Sequence, residues 1–363
     1  MMQKKIEKIL MITAFPPCQK TAGQDYTRRL LKDLIDRGYC VDLIYAEFPG
    51  HVPELPPQVR ILKTIKRSKL NCFSNIKYHP IFTRRFDRGV LQFIRKIAPK
   101  YDLLYFDFSQ VHIYSLYVKH TYKVLMSHDV LGQKFSRQSS KLNLDWIKRT
   151  ERELLRSGTV IYTFSDKDSD LIKKFYGLKS TPVNFYLKTG KFDYTNVHLS
   201  DSFSFYGAWN REENVEALMF FVEKVIPLVK KDIHFDVVGG GMGEELKNKI
   251  SQLDNFRVLG FVDDPVKTIS ETQALIAPLH YGAGVKVKVV DALTSGTPVV
   301  GTHVTFEGLQ DNKATRLFYL AEKPEEYAAI INNWQKDAAD YKQQSANEFY
   351  ERYNTNHFPD YLK

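Results

Sequence analysis

The chain has 363 residues, 43% of them apolar and 13% aromatic, enough to fill two packed cores and too apolar for a disordered chain. No apolar run approaches the roughly 18–20 residues of a membrane span, and Met1 to Lys8 leads into a strand-like run, not a signal-peptide core. Cys18, Cys40 and Cys72 are too few and too scattered for a disulfide frame or a zinc site, so a cytoplasmic protein without a metal is expected. The net charge of +10 hides a split: residues 1–200 carry 35 Lys and Arg against 18 Asp and Glu, and residues 201–363 carry 17 against 24. Such asymmetry points the first half toward an anionic surface or polymer.

Strand-like runs alternate with amphipathic helices through both halves, the pattern of α/β folding on mostly parallel sheets. Ile9–Thr13 reads as the first strand. The loop from Pro16 to Gly23 leads into a helix from about Asp25 to Arg37, which Gly38 stops before a strand at Val41–Tyr45. Leu103–Phe106, Lys123–Met126 and Val160–Thr163 follow as strands. The polar stretch Lys188–Asp201 has no strong period and reads as a linker. The pattern then restarts with a strand at Phe203–Tyr206, a helix from Asn214 to Val229, and strands at Phe235–Val238, Ala274–Pro278 and Thr297–Val300. The chain from about Glu325 reads as helical. Two domains are expected, 1–187 and 188–344.

Two glycine loops carry the chemistry. Gly239-Gly240-Gly241-Met242-Gly243 lies between a buried strand and a helix, where glycines let the backbone approach a phosphate. A nicotinamide fingerprint read from Gly239 needs glycine at 244, and the chain has Glu244. The second loop is more specific. Pro278 to Val300 reads PLHYGAGVKVKVVDALTSGTPVV, a strand that ends in glycines and opens a helix near Val285. Backbone amides and the helix dipole there can hold a diphosphate. Lys286 and Lys288 add positive charge, and Asp291, one turn after Lys288, can accept hydrogen bonds from sugar or ribose hydroxyls.

This segment, with Gly301-Thr302 and Glu307-Gly308-Leu309 after it, resembles the signature of the family-4 retaining GT-B glycosyltransferases (glycosyl transferases group 1). The resemblance covers most of residues 203–309, including Tyr206-Gly207 with Asn214, the turn at 238–241 and Leu259 to Asp264. It reaches more weakly into the first half through Gly23, His128 and Ser165. It implies two Rossmann-like domains facing across a cleft, with the end of the chain (about 345–363) packing back on the first domain. It implies donor binding by Gly23, Gly207, Gly239, Gly241, Phe261, Val262, Gly284, Val285, Lys286, Lys288 and Asp291. Phe261 and Val262 would line the base pocket, Asp291 would hold the ribose, and Gly284 to Lys286 would offer amides to the diphosphate. His128 and Asp291 are the implied catalytic pair, and the donor is bound without a metal. The family's usual Glu-x7-Glu pair would fall on 283 and 291, where this chain has Ala283 and Asp291, and of its basic pair after Tyr206-Gly207 only Arg211 is near.

Residues 55–100 hold 12 Lys and Arg and one acid, Asp87. Phe82, Phe86, Val90, Phe93, Ile94 and Ile97 recur at helical spacing there and read as a buried helix face. The preceding run from Lys63 to Phe73 reads as a basic loop with interleaved aromatics, suited to an anionic membrane surface. No nucleic-acid recognition motif accompanies the charge. The expected function is transfer of a sugar from a nucleoside-diphosphate sugar to an acceptor hydroxyl with retention, the acceptor a saccharide or lipid-linked saccharide in cell-surface polysaccharide or glycolipid synthesis. Two alternatives stay open: a catalytically silent homologue that supports a partner transferase, and a nucleotide-sugar epimerase.

Overall fold

Parallel strands need crossovers, and the alternation of short apolar runs with capped helices supplies them twice. In the computed structural model, which describes residues 5–66, 75–136, 140–187, 190–195, 197–282, 284–309 and 316–362, the first sheet consists of β1 (Lys8–Thr13), β2 (Cys40–Ala46), β3 (Arg60–Ile65), β4 (Leu103–Asp107), β5 (Lys123–Met126), β6 (Val160–Thr163) and β7 (Thr181–Pro182). Every pairing is parallel, in the order β3-β2-β1-β4-β5-β6-β7. Helices cover such a sheet on both sides, so its central strands read as unbroken apolar runs. Ile9 to Ile12 and Leu103 to Phe106 are all fully buried.

The second sheet consists of β8 (Phe203–Tyr206), β9 (Phe235–Val238), β10 (Phe256–Gly260), β11 (Leu275–Ala277), β12 (Val299–Gly301) and β13 (Phe318–Leu320), again all parallel, in the order β10-β9-β8-β11-β12-β13. Its core is strongly aromatic: Phe203, Phe205, Phe221, Phe235, Phe256 and Tyr327 share one cluster.

Side chains start the helices where the sequence supplies caps. The Thr21 side chain accepts from Gln24 N to open Ala22–Asp36, Asp87 accepts from Val90 N at 2.8 Å to open Arg88–Ile97, and Ser165 accepts from Asp168 N at 3.0 Å to open Asp166–Tyr176. The Ser165-x-x-Asp168 pattern is thus a helix cap, closed by Ser165 Oγ donating to the Asp168 carboxylate at 2.7 Å. Phe82, Phe86, Val90 and Ile94 are core residues of the first sheet, as their spacing requires, with Phe93 and Ile97 packed at the edge of that cluster.

The chain divides into unit 1, Met1–Tyr186 with Asn356–Lys363, and unit 2, Leu187–Thr355. The return to unit 1 comes later than the expected residue 345. Helix Ala339–Tyr353 stays on unit 2 because Gly296 brings two backbones into contact: a Cβ there would lie 2.0 Å from the Lys342 carbonyl oxygen. Buried Lys342 pins the same helix by donating to the carbonyls of Ser270 and Thr272, at 3.2 and 2.5 Å. Only the tail crosses. Phe358 packs 4.7 Å from the Tyr105 ring and 5.3 Å from that of Tyr162, and Arg37 pairs with Asp360 at 2.8 Å.

Four strands escape the sequence reading in part or whole, among them β7, only two residues long. β3 takes in Lys63 to Ile65, expected to begin a loop; it is an edge strand whose exposed, charged residues show no apolar run. β10 and β13 are short and carry exposed or half-buried residues. Of the basic run, residues 67–74 lie outside the described residues, as do Lys188 and Ala283.

Candidate donor and catalytic sites

Both sheets share a topological consequence. The chain fills one side of the first strand, then the other, so a crevice opens at the carboxyl ends between the first and fourth strands. In unit 2 that point lies between β8, ending at Tyr206, and β11, ending at Ala277.

Three segments converge there. Gly239 has φ of +117°, and a Cβ on it would lie 2.0 Å from the Gly207 carbonyl oxygen, so only glycine lets the two turns meet. Trp209 seals the contact, its backbone N–H donating to Gly240 O at 2.9 Å and its indole N–H to Val238 O at 3.0 Å. Gly207 lies against Asn214, whose amide nitrogen would be 2.8 Å from a Cβ at 207. The Asn214 side chain donates to Ala208 O at 2.9 Å and accepts from Lys288 Nζ at 2.7 Å. That last bond ties the signature helix to the first strand's turn.

The signature helix runs Val287–Thr294, two residues later than expected, because Gly284 at φ +69° and extended Lys286 complete the loop first. Lys286 is the N-cap and offers no side-chain cap; Val289 N–H donates to Lys286 O at 2.9 Å, so the first-turn donors suited to an outside acceptor are the N–H groups of Val287 and Lys288. The Lys286 ammonium turns back to Gly284 O at 2.6 Å and toward Glu307 Oε2 at 3.4 Å. Val285 packs on the core cluster that holds Val289 and Leu293. Burial lowers the Lys288 pKa to about 7, against the pull of Glu213 and with help from nearby Lys286 and Arg211. Asp291 is 2% exposed, on the buried side of the helix. Phe261 is the opposite case, 78% exposed and standing beside Gly240, with half-buried Val262 next to it. Gly241, at φ +83°, lies against Asn210.

In unit 1 the corresponding point lies between β1 and β4, and His128 stands there. Its Nε2 is 2.8 Å from Asp107 Oδ1, and Asp107, fully buried, accepts through Oδ2 from Thr13 Oγ1 at 3.1 Å and Thr27 Oγ1 at 2.5 Å. The imidazole stacks on Phe108 with centroids 3.6 Å apart, and Tyr26 and Phe164 meet it edge-on. Phe108 holds φ of +70°, unusual outside glycine, to set that stack. Gly23 is dictated by the same group, since a Cβ on it would lie 2.8 Å from the Phe108 ring and 3.1 Å from His128 Nδ1. After His128 the chain is held at Leu131 and Gly132, whose N–H groups donate to the buried Glu151 carboxylate at 2.9 and 2.8 Å. Burial raises the Glu151 pKa to about 7, opposed by the hydroxyl of Tyr176 and those two amides.

The structure thus groups Gly207 and Gly239 with Lys288 through Asn214, sets Gly241 against Asn210, and groups Gly284 with Lys286. Gly23 and His128 belong to a separate cluster in unit 1. Asp107 and Glu151 were missed. Neither carries a sequence motif, and only the sheet order and helix packing bring them to the His128 segment. Asn214 and Glu307 were visible as parts of the resemblance but had no assigned partner. Among the described residues no three His, Cys, Asp or Glu side chains gather as a metal site, and no helix is long and apolar enough to cross a membrane.

Residues 200–337, which contain every unit 2 feature just described, match the family model for glycosyl transferases group 1. Over those residues unit 2 is similar to the glycosyl transferases group 1 family. A 44.6 kDa protein in the cps region of Klebsiella pneumoniae is 31% identical over 181 residues, 46% of this chain and 45% of that protein, so the match spans under half of the relative's length. Among solved structures, Anabaena HepE in complex with UDP and glucose superimposes with a TM-score of 0.66 at 14% identity, over 96% of this chain and 95% of its own. Staphylococcus aureus TarM, bound to fondaparinux, alpha-GlcNAc-glycerol and UDP, gives 0.67 at 11% identity over 98% of both chains. WaaG, a glycosyltransferase involved in lipopolysaccharide biosynthesis, gives 0.63 at 14% over 95% of both. The fold is that of the GT-B glycosyltransferases.

Proposed function

We propose that the protein transfers a glycosyl group from a nucleoside-diphosphate sugar to an acceptor hydroxyl with retention of configuration. The observation that carries this reading is the helix opening at Lys286–Val287, bonded through Lys288 and Asn214 to the Gly207 turn. The leaving diphosphate gathers negative charge as the glycosidic bond breaks. In this reading the amides of the helix's first turn, with Lys286 and with Lys288 once a bound diphosphate has restored its proton, stabilise that charge, an arrangement that lowers such a barrier strongly. Exposed Phe261 offers a flat surface to a base, and the HepE and TarM complexes hold UDP, whose base is uracil. Asp291 holds the ribose in this reading, and no metal takes part in donor binding. His128, oriented by Asp107, donates to a sugar hydroxyl and positions the anomeric carbon.

The acceptor in this proposal is a saccharide or a lipid-linked saccharide, and the process is cell-surface polysaccharide or glycolipid synthesis. The cps-region relative and the lipopolysaccharide role of WaaG support it. The basic first half suits acceptors presented at an anionic membrane face. Calorimetry with UDP tests the donor site. Asp291→Ala is expected to weaken binding several-fold in a folded protein, and unchanged affinity removes Asp291 from the site. Hydrolysis of UDP-sugars without acceptor separates this enzyme from a silent homologue, and an epimerised sugar in the products identifies an epimerase.

A further inference from the structure

Helix Lys141–Leu155 buries Ile147, Thr150, Glu151, Leu154 and Leu155. Its other side is not uniformly polar, for Leu142 is 84% exposed and Trp146, one turn on, is 37% exposed. The segment beside them adds Ile76, 77% exposed. The two segments are fastened together. The Trp146 indole N–H donates to Lys77 O at 3.2 Å, the His79 ring meets the indole edge-on at 4.9 Å, and His79 Nε2 is 3.0 Å from Asn143 Oδ1. With its one donor satisfied inside the protein, the indole turns hydrocarbon outward. The flank is cationic: Lys141, Arg149 and Arg152 are exposed, while Glu153 pairs with Lys77 at 2.8 Å and leaves Asp145 as the opposing charge.

We propose that this face seats unit 1 on an anionic bilayer, with Leu142, Ile76 and the outer edge of Trp146 entering the acyl boundary and Lys141, Arg149 and Arg152 at the lipid phosphates. A few apolar side chains with a basic flank suffice for interfacial binding. A stable protein partner needs roughly 800 Å² from each side, which three such side chains do not supply. The inference rests on the reading that unit 1 works at an anionic surface, and it names the contact.

The test uses the full chain with vesicles of phosphatidylcholine and phosphatidylglycerol whose acyl chains are brominated. The chain has three tryptophans, of which Trp209 is buried in unit 2. Vesicle binding should quench Trp146 emission, and Trp146→Phe should remove the quenched component. Leu142→Asp with Ile76→Asp should lower vesicle affinity about tenfold or more, while UDP affinity and melting temperature stay near wild type. Changing Lys66, Arg67 and Lys69 to Glu serves as the comparison. If only that variant loses binding and Trp146 is never quenched, the apolar face is not the contact, although the anionic-surface reading survives. Absence of binding to any vesicle overturns both. A concentration-dependent dimer abolished by Leu142→Asp assigns the face to a second copy and overturns the proposal. Loss of UDP binding in wild type instead breaks the transferase reading and leaves the vesicle result intact.

Discussion

Units 1 and 2 share a strand order around their first four strands and differ in what stands at the point where that order reverses. Unit 2 presents backbone: Gly207 and Gly239 let two turns meet, and Gly284 leads into a helix with no side-chain cap. Unit 1 presents side chains, with half-buried His128 held by buried Asp107 and packed among Phe108, Tyr26 and Phe164. One topology therefore yields either an anion cradle or an oriented imidazole, depending on whether glycine or aromatic residues follow the strands. In the proposed function, diphosphate affinity belongs to the glycine-lined unit and turnover to the aromatic one.

The sharpest way to break the comparison is Gly239→Ala. The added methyl would overlap the Gly207 carbonyl at a φ that disfavours any side chain, so a loss of about 4 kcal/mol or more from unit 2 is expected, read as an early denaturant transition. Near-normal stability would mean that the two turns can part.

Next in size is His128→Ala, expected to cut turnover about tenfold or more, roughly 1.4 kcal/mol of barrier, with UDP affinity and melting little changed. Asp107→Asn should follow it in the same direction, because the carboxylate that orients the ring is replaced by an amide. Steady-state kinetics beside calorimetry decide the matter. Wild-type turnover in His128→Ala would remove unit 1's assigned part in catalysis.

A smaller effect sharpens unit 2. Burial holds Lys288 at a pKa of about 7, so the free protein carries a neutral amine above that pH. A bound diphosphate draws the proton back, so UDP affinity should fall as pH rises through about 7, by at most about tenfold per unit. Lys288→Met should flatten the profile; an unchanged slope would place Lys288 away from the phosphates. In folding the sign differs. The unfolded lysine keeps its proton up to its ordinary range, so the depressed pKa costs stability at neutral pH and the cost fades as pH rises toward that range.

Much of this was legible in the amino-acid sequence. Apolar runs of strand length follow from local chemistry, and four strands, Lys123–Met126, Val160–Thr163, Phe203–Tyr206 and Phe235–Val238, lie where their patterns put them. The glycines at 239 and 284 were readable because a positive φ beside a strand leaves few other choices. What the sequence could not decide were contacts between distant segments. Asp107 meets His128 because β4 and β5 pair side by side, and Glu151 meets Gly132 because two helices pack. Lys288 reaches Asn214 across 74 residues, and helix Ala339–Tyr353 stays with unit 2 because Gly296 admits its backbone. Local propensity acts between near neighbours along the chain. The ionisation of Lys288 and Glu151 and the aim of His128 depend on desolvation and partners that exist only once the sheets have closed over them.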